Sequence, residues 1–209
     1  MKMKTSLSLN TLTGIMALSL TLAACSKDPA AEAMARPKPP AAAAVDDVPA
    51  AESPLARAAM RGDLAEIKTL LEAQAEVDAA DALGRTALHM AAFYGRTRAS
   101  DALLASGATI DARDRVGMTP LHAAVLAGGR NEVEFLLDRK ATVNALTDAG
   151  QTPLHLAAAT GQPNVSRVLI EHGADPRRRD KDDKTPLDYA VRNRHPLTTE
   201  LLQQYATKN

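Results

Sequence analysis

Thr119-Pro120-Leu121-His122-Ala123-Ala124 is the stretch on which the reading of this chain turns. It returns at a fixed step of 33 residues. Thr86-Ala87-Leu88-His89 precedes it, Thr152-Pro153-Leu154-His155 and Thr185-Pro186-Leu187-Asp188 follow, and Ser53-Pro54-Leu55-Ala56 stands one step ahead of the first. Five copies in register point to stacked repeats, each burying its apolar face only against its neighbours. Each copy opens a helix. The Thr119 hydroxyl can accept from backbone N–H groups two or three residues on, and Pro120 sits at the first helical position, where a missing N–H costs nothing. A short helix runs to about Ala127, ended by Gly128 in the left-handed conformation. A second is expected from about Asn131 to Arg139, with Val133, Leu136 and Leu137 on one face. Lys140 to Gln151 reads as an extended excursion turning at Asp148-Ala149-Gly150.

The strictest column is alanine: Ala58, Ala91, Ala124, Ala157 and Ala190 hold one position in all copies. A small residue there lets the first helices of neighbouring copies approach closely. Leu70-Leu71, Leu103-Leu104, Leu136-Leu137 and Leu169-Ile170 fill the space between helix layers. The phrase T-P-L-H-x-A at this period resembles the ankyrin repeat, over roughly residues 53 to 207. The resemblance implies an all-α fold: an α-solenoid of five helix-turn-helix repeats, 53–85, 86–118, 119–151, 152–184 and 185–207, with β-hairpin-like loops and a concave inner side.

The end copies depart from the pattern as caps should. Arg57, Arg61 and Lys68 charge one end; Gln203, Gln204, Thr207 and Lys208 keep the other soluble. Asp188 replaces the histidine and Arg194 the turn glycine. Leu201-Leu202 arrive 16 residues after Thr185 where earlier pairs arrive after 17, so the last inter-helix turn is expected to be one residue shorter. Gln74 and Lys140 stand where Gly107 and Gly173 end the second helix, which requires positive φ at a cost of about 1 kcal/mol.

Ahead of the repeats, residues 1–24 read as an export signal: Lys2 and Lys4, then an apolar run from Ile15 to Leu22 too short to span a bilayer. Leu22-Ala23-Ala24-Cys25 resembles a bacterial lipobox, which implies cleavage before Cys25 and its lipidation; plain secretion with an inert Cys25 is the competing reading. Cys25 is the chain's only cysteine. By the same resemblance, Ser26 in place of an aspartate implies the outer membrane. Residues 25–52 carry Pro29, Pro37, Pro39, Pro40 and Pro49 among alanines, with too few large apolar side chains to bury a core, and read as a disordered linker.

Catalytic and metal chemistry find no support. His89, His122 and His155 recur once per repeat, about 8–10 Å apart, whereas zinc needs nitrogen at about 2.0–2.1 Å. Each imidazole is expected instead to bond loop backbone and tie adjacent repeats, with His172 and His195 at the surface. Asp180-Lys181-Asp182-Asp183 resembles the opening of a calcium loop, but Thr185 and Val191 stand where glycine and a bidentate glutamate are required. It reads as a solvated hairpin tip. No nucleophile elbow or phosphate-cradling loop appears. The expectation is no enzyme, no cofactor, no metal and no small-molecule substrate. Lysine plus arginine equal aspartate plus glutamate at 25 each, so nothing favours nucleic acid.

Ankyrin proteins grip partners with hairpin tips and the exposed end of the first helix. Carried over by register, this implies a partner-binding patch of Leu83, Phe93, Tyr94, Val116, Met118 and Leu126, with Arg85 and Arg115 as its polar rim. The polar positions of the fourth copy are Asp148, Gln151 and Thr160, and the charged set of the fifth is Lys181, Asp182, Lys184, Arg192 and Asn193. The resemblance implies a monomeric, lipid-anchored, periplasm-facing binding module acting on another envelope protein, with a role supporting catalase in oxidative-stress defence. An immunity or inhibitor protein against a toxin or hydrolase is the alternative.

Overall fold

The computed structural model describes residues 53–206. The export signal, Cys25, the 25–52 linker, Thr207 and Lys208 lie outside the described residues. Two helices per repeat follow from the sequence pattern. The inner helices are α1 (Pro54–Arg61), α3 (Ala87–Phe93), α5 (Pro120–Leu126), α7 (Pro153–Ala159) and α9 (Pro186–Arg192). The outer ones are α2 (Leu64–Glu72), α4 (Thr97–Ala105), α6 (Arg130–Asp138), α8 (Pro163–Glu171) and α10 (Pro196–Ala206). Each inner helix packs on the next inner helix, and each outer on the next outer. Helix α6 lies one residue ahead of the expected span because Gly129 caps it. No strand occurs among the described residues.

The histidine of each central repeat explains why the inner helix starts where it does. Thr119 and His122 form a reciprocal capping box, with histidine in the place usually held by Glu or Gln. The Thr119 N–H donates to His122 Nδ1 at 3.1 Å, with the hydroxyl 2.9 Å from the same nitrogen. Nδ1 is therefore the acceptor, which puts the ring proton on Nε2. Nε2 donates to the Gln151 carbonyl at 3.3 Å, in the loop that leads into the next repeat. His89 reaches Met118 O at 3.0 Å and His155 reaches Lys184 O at 3.1 Å in the same way. The ladder of ties expected from the spacing is present, and each ring is a neutral tautomer fixed from both sides.

Ala58, Ala91, Ala124, Ala157 and Ala190 are fully buried, as are Leu103, Leu136, Leu169 and Leu202. The last inter-helix turn is not shortened, contrary to expectation. His195 N–H returns to Ala190 O at 2.9 Å just as Gly129 returns to Ala124 at 3.1 Å and Gln162 to Ala157 at 3.0 Å. The leucine pair in α10 has moved instead. Leu202 fills the Leu136 position, Leu201 that of Phe135, and exposed Gln203 that of Leu137. His195 also differs from its expected surface role: Nε2 lies 3.1 Å from Ala159 O, and the ring covers Gly161.

Outer helices carry a tie of their own. Glu132, 1% exposed, accepts from Thr97 Oγ1 at 2.6 Å and Ser100 Oγ at 2.5 Å across the α4–α6 interface. Burial pushes its carboxyl pKa up, against the pull of the two hydroxyl bonds.

Candidate functional site

The hairpin tips are rigid because each is wound around one side chain. Asp114 Oδ1 accepts from Val116 N at 2.9 Å and Met118 N at 2.8 Å. Asp81 does the same for Leu83 and Arg85 at 2.8 and 2.9 Å, and Asp180 for Asp182 and Lys184 at 3.0 and 2.9 Å. Thr147 replaces the aspartate in the third tip along the chain, its hydroxyl accepting from Gln151 N at 3.2 Å. These are Asx-type and Ser/Thr-type turns. Asp180 thus departs from the solvated-tip expectation: it is buried, and its Oδ2 accepts from the Tyr189 hydroxyl at 2.6 Å.

Neighbouring tips are then bonded to one another. Arg115 N donates to Leu83 O at 2.9 Å, Asp148 N to Val116 O at 2.9 Å and Lys181 N to Ala149 O at 3.0 Å. This ladder sets Leu83 beside Val116. The tips meet the inner helices through Gln151, whose Nε2 lies 2.7 Å from the Tyr189 hydroxyl of α9. Tips and the exposed ends of inner helices therefore line one inner face.

The proposed patch residues fall into three groups on this face. Leu83, Phe93, Val116 and Leu126 are exposed at 54, 44, 55 and 39%. Tyr94 is half-buried against the apolar cluster of the first repeats, with its ring edge-on to Phe93 at 5.3 Å. Met118 is half-buried, and its carbonyl is held by His89. Arg115 is exposed, while Arg85 is turned inward, its Nε donating to Asp81 Oδ2 at 2.8 Å. The four exposed apolar side chains stand in solvent, and Arg85 braces its own hairpin through its ion pair with Asp81.

Toward the C-terminal end the same face changes character. A hollow of about 330 Å³ is lined by Lys184, Leu187, Asp188, Tyr189, Val191 and Arg192. The Arg192 guanidinium lies over the Tyr189 ring at 5.0 Å, a cation–π contact. Val191 and Leu197, exposed at 55 and 63%, are apolar surface that sequence reasoning passed over. Val191 could have been found from its column, since the matching Val125 is fully buried and the last repeat has no described successor to cover it. Elsewhere a groove of about 660 Å³ runs between α2 and α4, over Leu64, Leu71, Ala102 and Ala105. Among the described residues no cluster of His, Cys, Asp and Glu could hold a metal ion, and no helix is long and apolar enough to cross a membrane.

A family model of ankyrin repeats, three copies long, matches the chain over residues 20–114, 55–147, 102–180 and 140–209. The chain belongs to the ankyrin-repeat family, and its stack is a protein-binding module of the kind those repeats build. No match was found among curated proteins.

Proposed function

We propose that this chain is a non-catalytic scaffold or accessory factor, lipid-anchored through Cys25 and facing the periplasm, that grips another envelope protein on the inner face of its repeats. The observation that carries the binding site is the set of exposed apolar side chains Leu83 and Val116, on internally braced hairpins, and Phe93 and Leu126, at the ends of α3 and α5. Apolar patches of this kind mark interaction surfaces, and rigid tips lower the ordering cost of binding. Leu22-Ala23-Ala24-Cys25 supports the anchor, and Ser26 favours the outer membrane. Support of catalase in oxidative-stress defence is the role that the family resemblance adds.

The decisive experiment is in-cell crosslinking from envelope fractions with wild type and with Phe93→Ala/Tyr94→Ala. The double variant should keep its circular dichroism spectrum and lose its crosslinked partner, with at least tenfold weaker binding to that partner, about 1.4 kcal/mol. Full binding by the folded variant would place the grip elsewhere. Recovery of a toxin or hydrolase as the partner would replace the scaffold with an inhibitor. Cys25→Ser should abolish lipid labelling and release the protein from membranes; unlabelled wild type in the soluble fraction would refute the anchor.

A further inference from the structure

The buried apolar side chains of the described residues fall into two clusters that part between the second and third repeats. Ile67, Leu88 and Leu103 belong to the first; Leu121, Val133 and Leu136 belong to the second, which runs on to Leu202. The inner layer is continuous across the divide, since Ala92 of α3 is a member of the second cluster and α3 packs on α5. The inner side is pinned there as well, by His89 to Met118 O and by Arg115 N to Leu83 O. In the outer layer Leu104, partly buried, is the one helix side chain packed against both clusters.

Two columns of the outer helices explain the divide. At the α2–α4 interface they hold Ile67 and Ala99, and at α6–α8 they hold Val133 and Val165, all buried. At α4–α6 they hold Ser100 and Glu132, joined by a hydrogen bond, with Thr97 donating to the same carboxyl. The rim of this interface is polar too: Arg139 Nη2 lies 2.5 Å from Asp101 Oδ1. The last interface carries the hydroxyls of Ser166 and Thr198 but no charge, and Leu202 keeps it within the second cluster. Hydroxyls, a carboxyl and an exposed ion pair recover hydrogen bonds from water when two surfaces part, whereas valine and isoleucine only lose burial. Local opening is cheapest where few apolar contacts hold an interface.

We propose that the α4–α6 interface is a hinge built into the stack. Repeats one and two form one block and repeats three to five another, with the α3–α5 contact as fulcrum and the polar outer interface as the side that opens. The exposed apolar side chains straddle this joint: Leu83 and Phe93 precede α4, and Val116 and Leu126 follow it. Opening changes the angle at which the two halves of the face are presented, so a partner gripping both halves fixes that angle. This consequence rests on the protein-binding reading above; the joint itself does not.

Spin-label distances test the hinge in the full-length chain carrying Cys25→Ser, which leaves no native thiol. Arg98 and Asn131 hold matching exposed places, second in α4 and α6, and Asn164 repeats that place in α8. Labels on Arg98→Cys/Asn131→Cys span the joint; labels on Asn131→Cys/Asn164→Cys span the apolar interface that follows, with the same label freedom. The distance distribution across the joint should be roughly twice as wide or more, as independent block motion requires. Ser100→Val/Glu132→Val, which installs the residues of the α6–α8 interface, should narrow it to the control width. Ser100→Ile/Glu132→Ala, taken from the α2–α4 interface, is a second route to the same narrowing, and circular dichroism checks that each folds. Equal widths for the two label pairs without these substitutions, or a wide distribution that neither apolar pair narrows, would overturn the hinge. Neither result touches the binding reading, which stands or falls on crosslinking with Phe93→Ala/Tyr94→Ala.

Discussion

The third and fifth repeats share one backbone plan and differ in what stands beside them. Val125 is fully buried and Val191, at the matching place, is 55% exposed; Leu121 is buried and Leu187 only partly. At the helix start, His122 looks both ways, capping α5 and donating onward to Gln151 O. Asp188 caps α9 equally well but has no proton to pass on; its carboxylate accepts from Thr185, with the charges of Lys184 and Arg179 nearby. Burial here belongs to the neighbour, not the residue type. Histidine at this place ties a repeat to the next loop, and aspartate closes only its own helix.

Acid should separate the two repeats most strongly. Burial pushes the His122 imidazole down to about 4, against the pull of its bond to Gln151, and it lowers His89 and His155 as well. The unfolded chain binds a proton near pH 6.5 and the folded one does not, so stability is present above about 6.5 and is lost as pH falls toward 4. For His122 alone the loss is about 3 kcal/mol. The Asp188 carboxyl is also lowered, but from an already acidic starting value: the backbone and hydroxyl bonds from Thr185 hold it below the ordinary carboxylate range, so its cap persists until lower pH. The amide protection factor at Ala124, corrected for the intrinsic pH dependence of exchange, should fall between pH 6.5 and 4 while the Thr185–Asp188 cap stays formed. Denaturation midpoints that do not move across that window would show that the histidines are not held neutral.

A smaller effect tests burial directly. Val125→Ala should cost about 1–3 kcal/mol through lost apolar contact and cavity. Val191→Ala, the same chemistry at the open end, should stay within about 0.5 kcal/mol. Equal losses in urea titrations would mean that something covers the C-terminal face in solution.

The register, the alanine column and the onward reach of the histidines were legible because each recurs at one fixed step and each has a local physical reason. Equally periodic signals went unread. Asp81, Asp114 and Asp180 stand at the same step, five residues before each helix cap, but Thr147 breaks the column and hid it. The apparent shortening of the last turn came from pairing leucines by type, whereas packing selects positions: Leu202 fills the place of Leu136 whatever precedes it. Glu132 was invisible for another reason. Its partners Thr97 and Ser100 lie 35 and 32 residues away, and a lone glutamate beside Asn131 reads as a solvent-facing charge until both helices are placed. In the candidate site, exposure of Leu83 and Val116 followed from the tip position, but the bracing of Arg85 by Asp81 required the hairpin's own geometry.

The smallest predicted difference lies in the turn between the two helices. Gly128 holds φ 71° in the third repeat, and Arg194 holds φ 60° at the same place in the fifth. A side chain in this left-handed region costs about 1 kcal/mol. A Cβ on Gly128 would meet only Gln162 atoms at 3.7 Å, an ordinary contact, so Gly128→Ala isolates the backbone strain. That variant should lose about 1 kcal/mol. Arg194→Gly should relieve the same strain, offset in part by the greater freedom of glycine in the unfolded chain. The net gain is then about 0.5 kcal/mol, a shift of one or two degrees in Tm for a domain of this size. Paired calorimetry on the two variants resolves opposite signs. Destabilisation by Arg194→Gly would show that the arginine side chain makes a contact at the C-terminal end worth more than the strain it carries, and the last repeat would then be held by its own surface as well as by the neighbour beneath it.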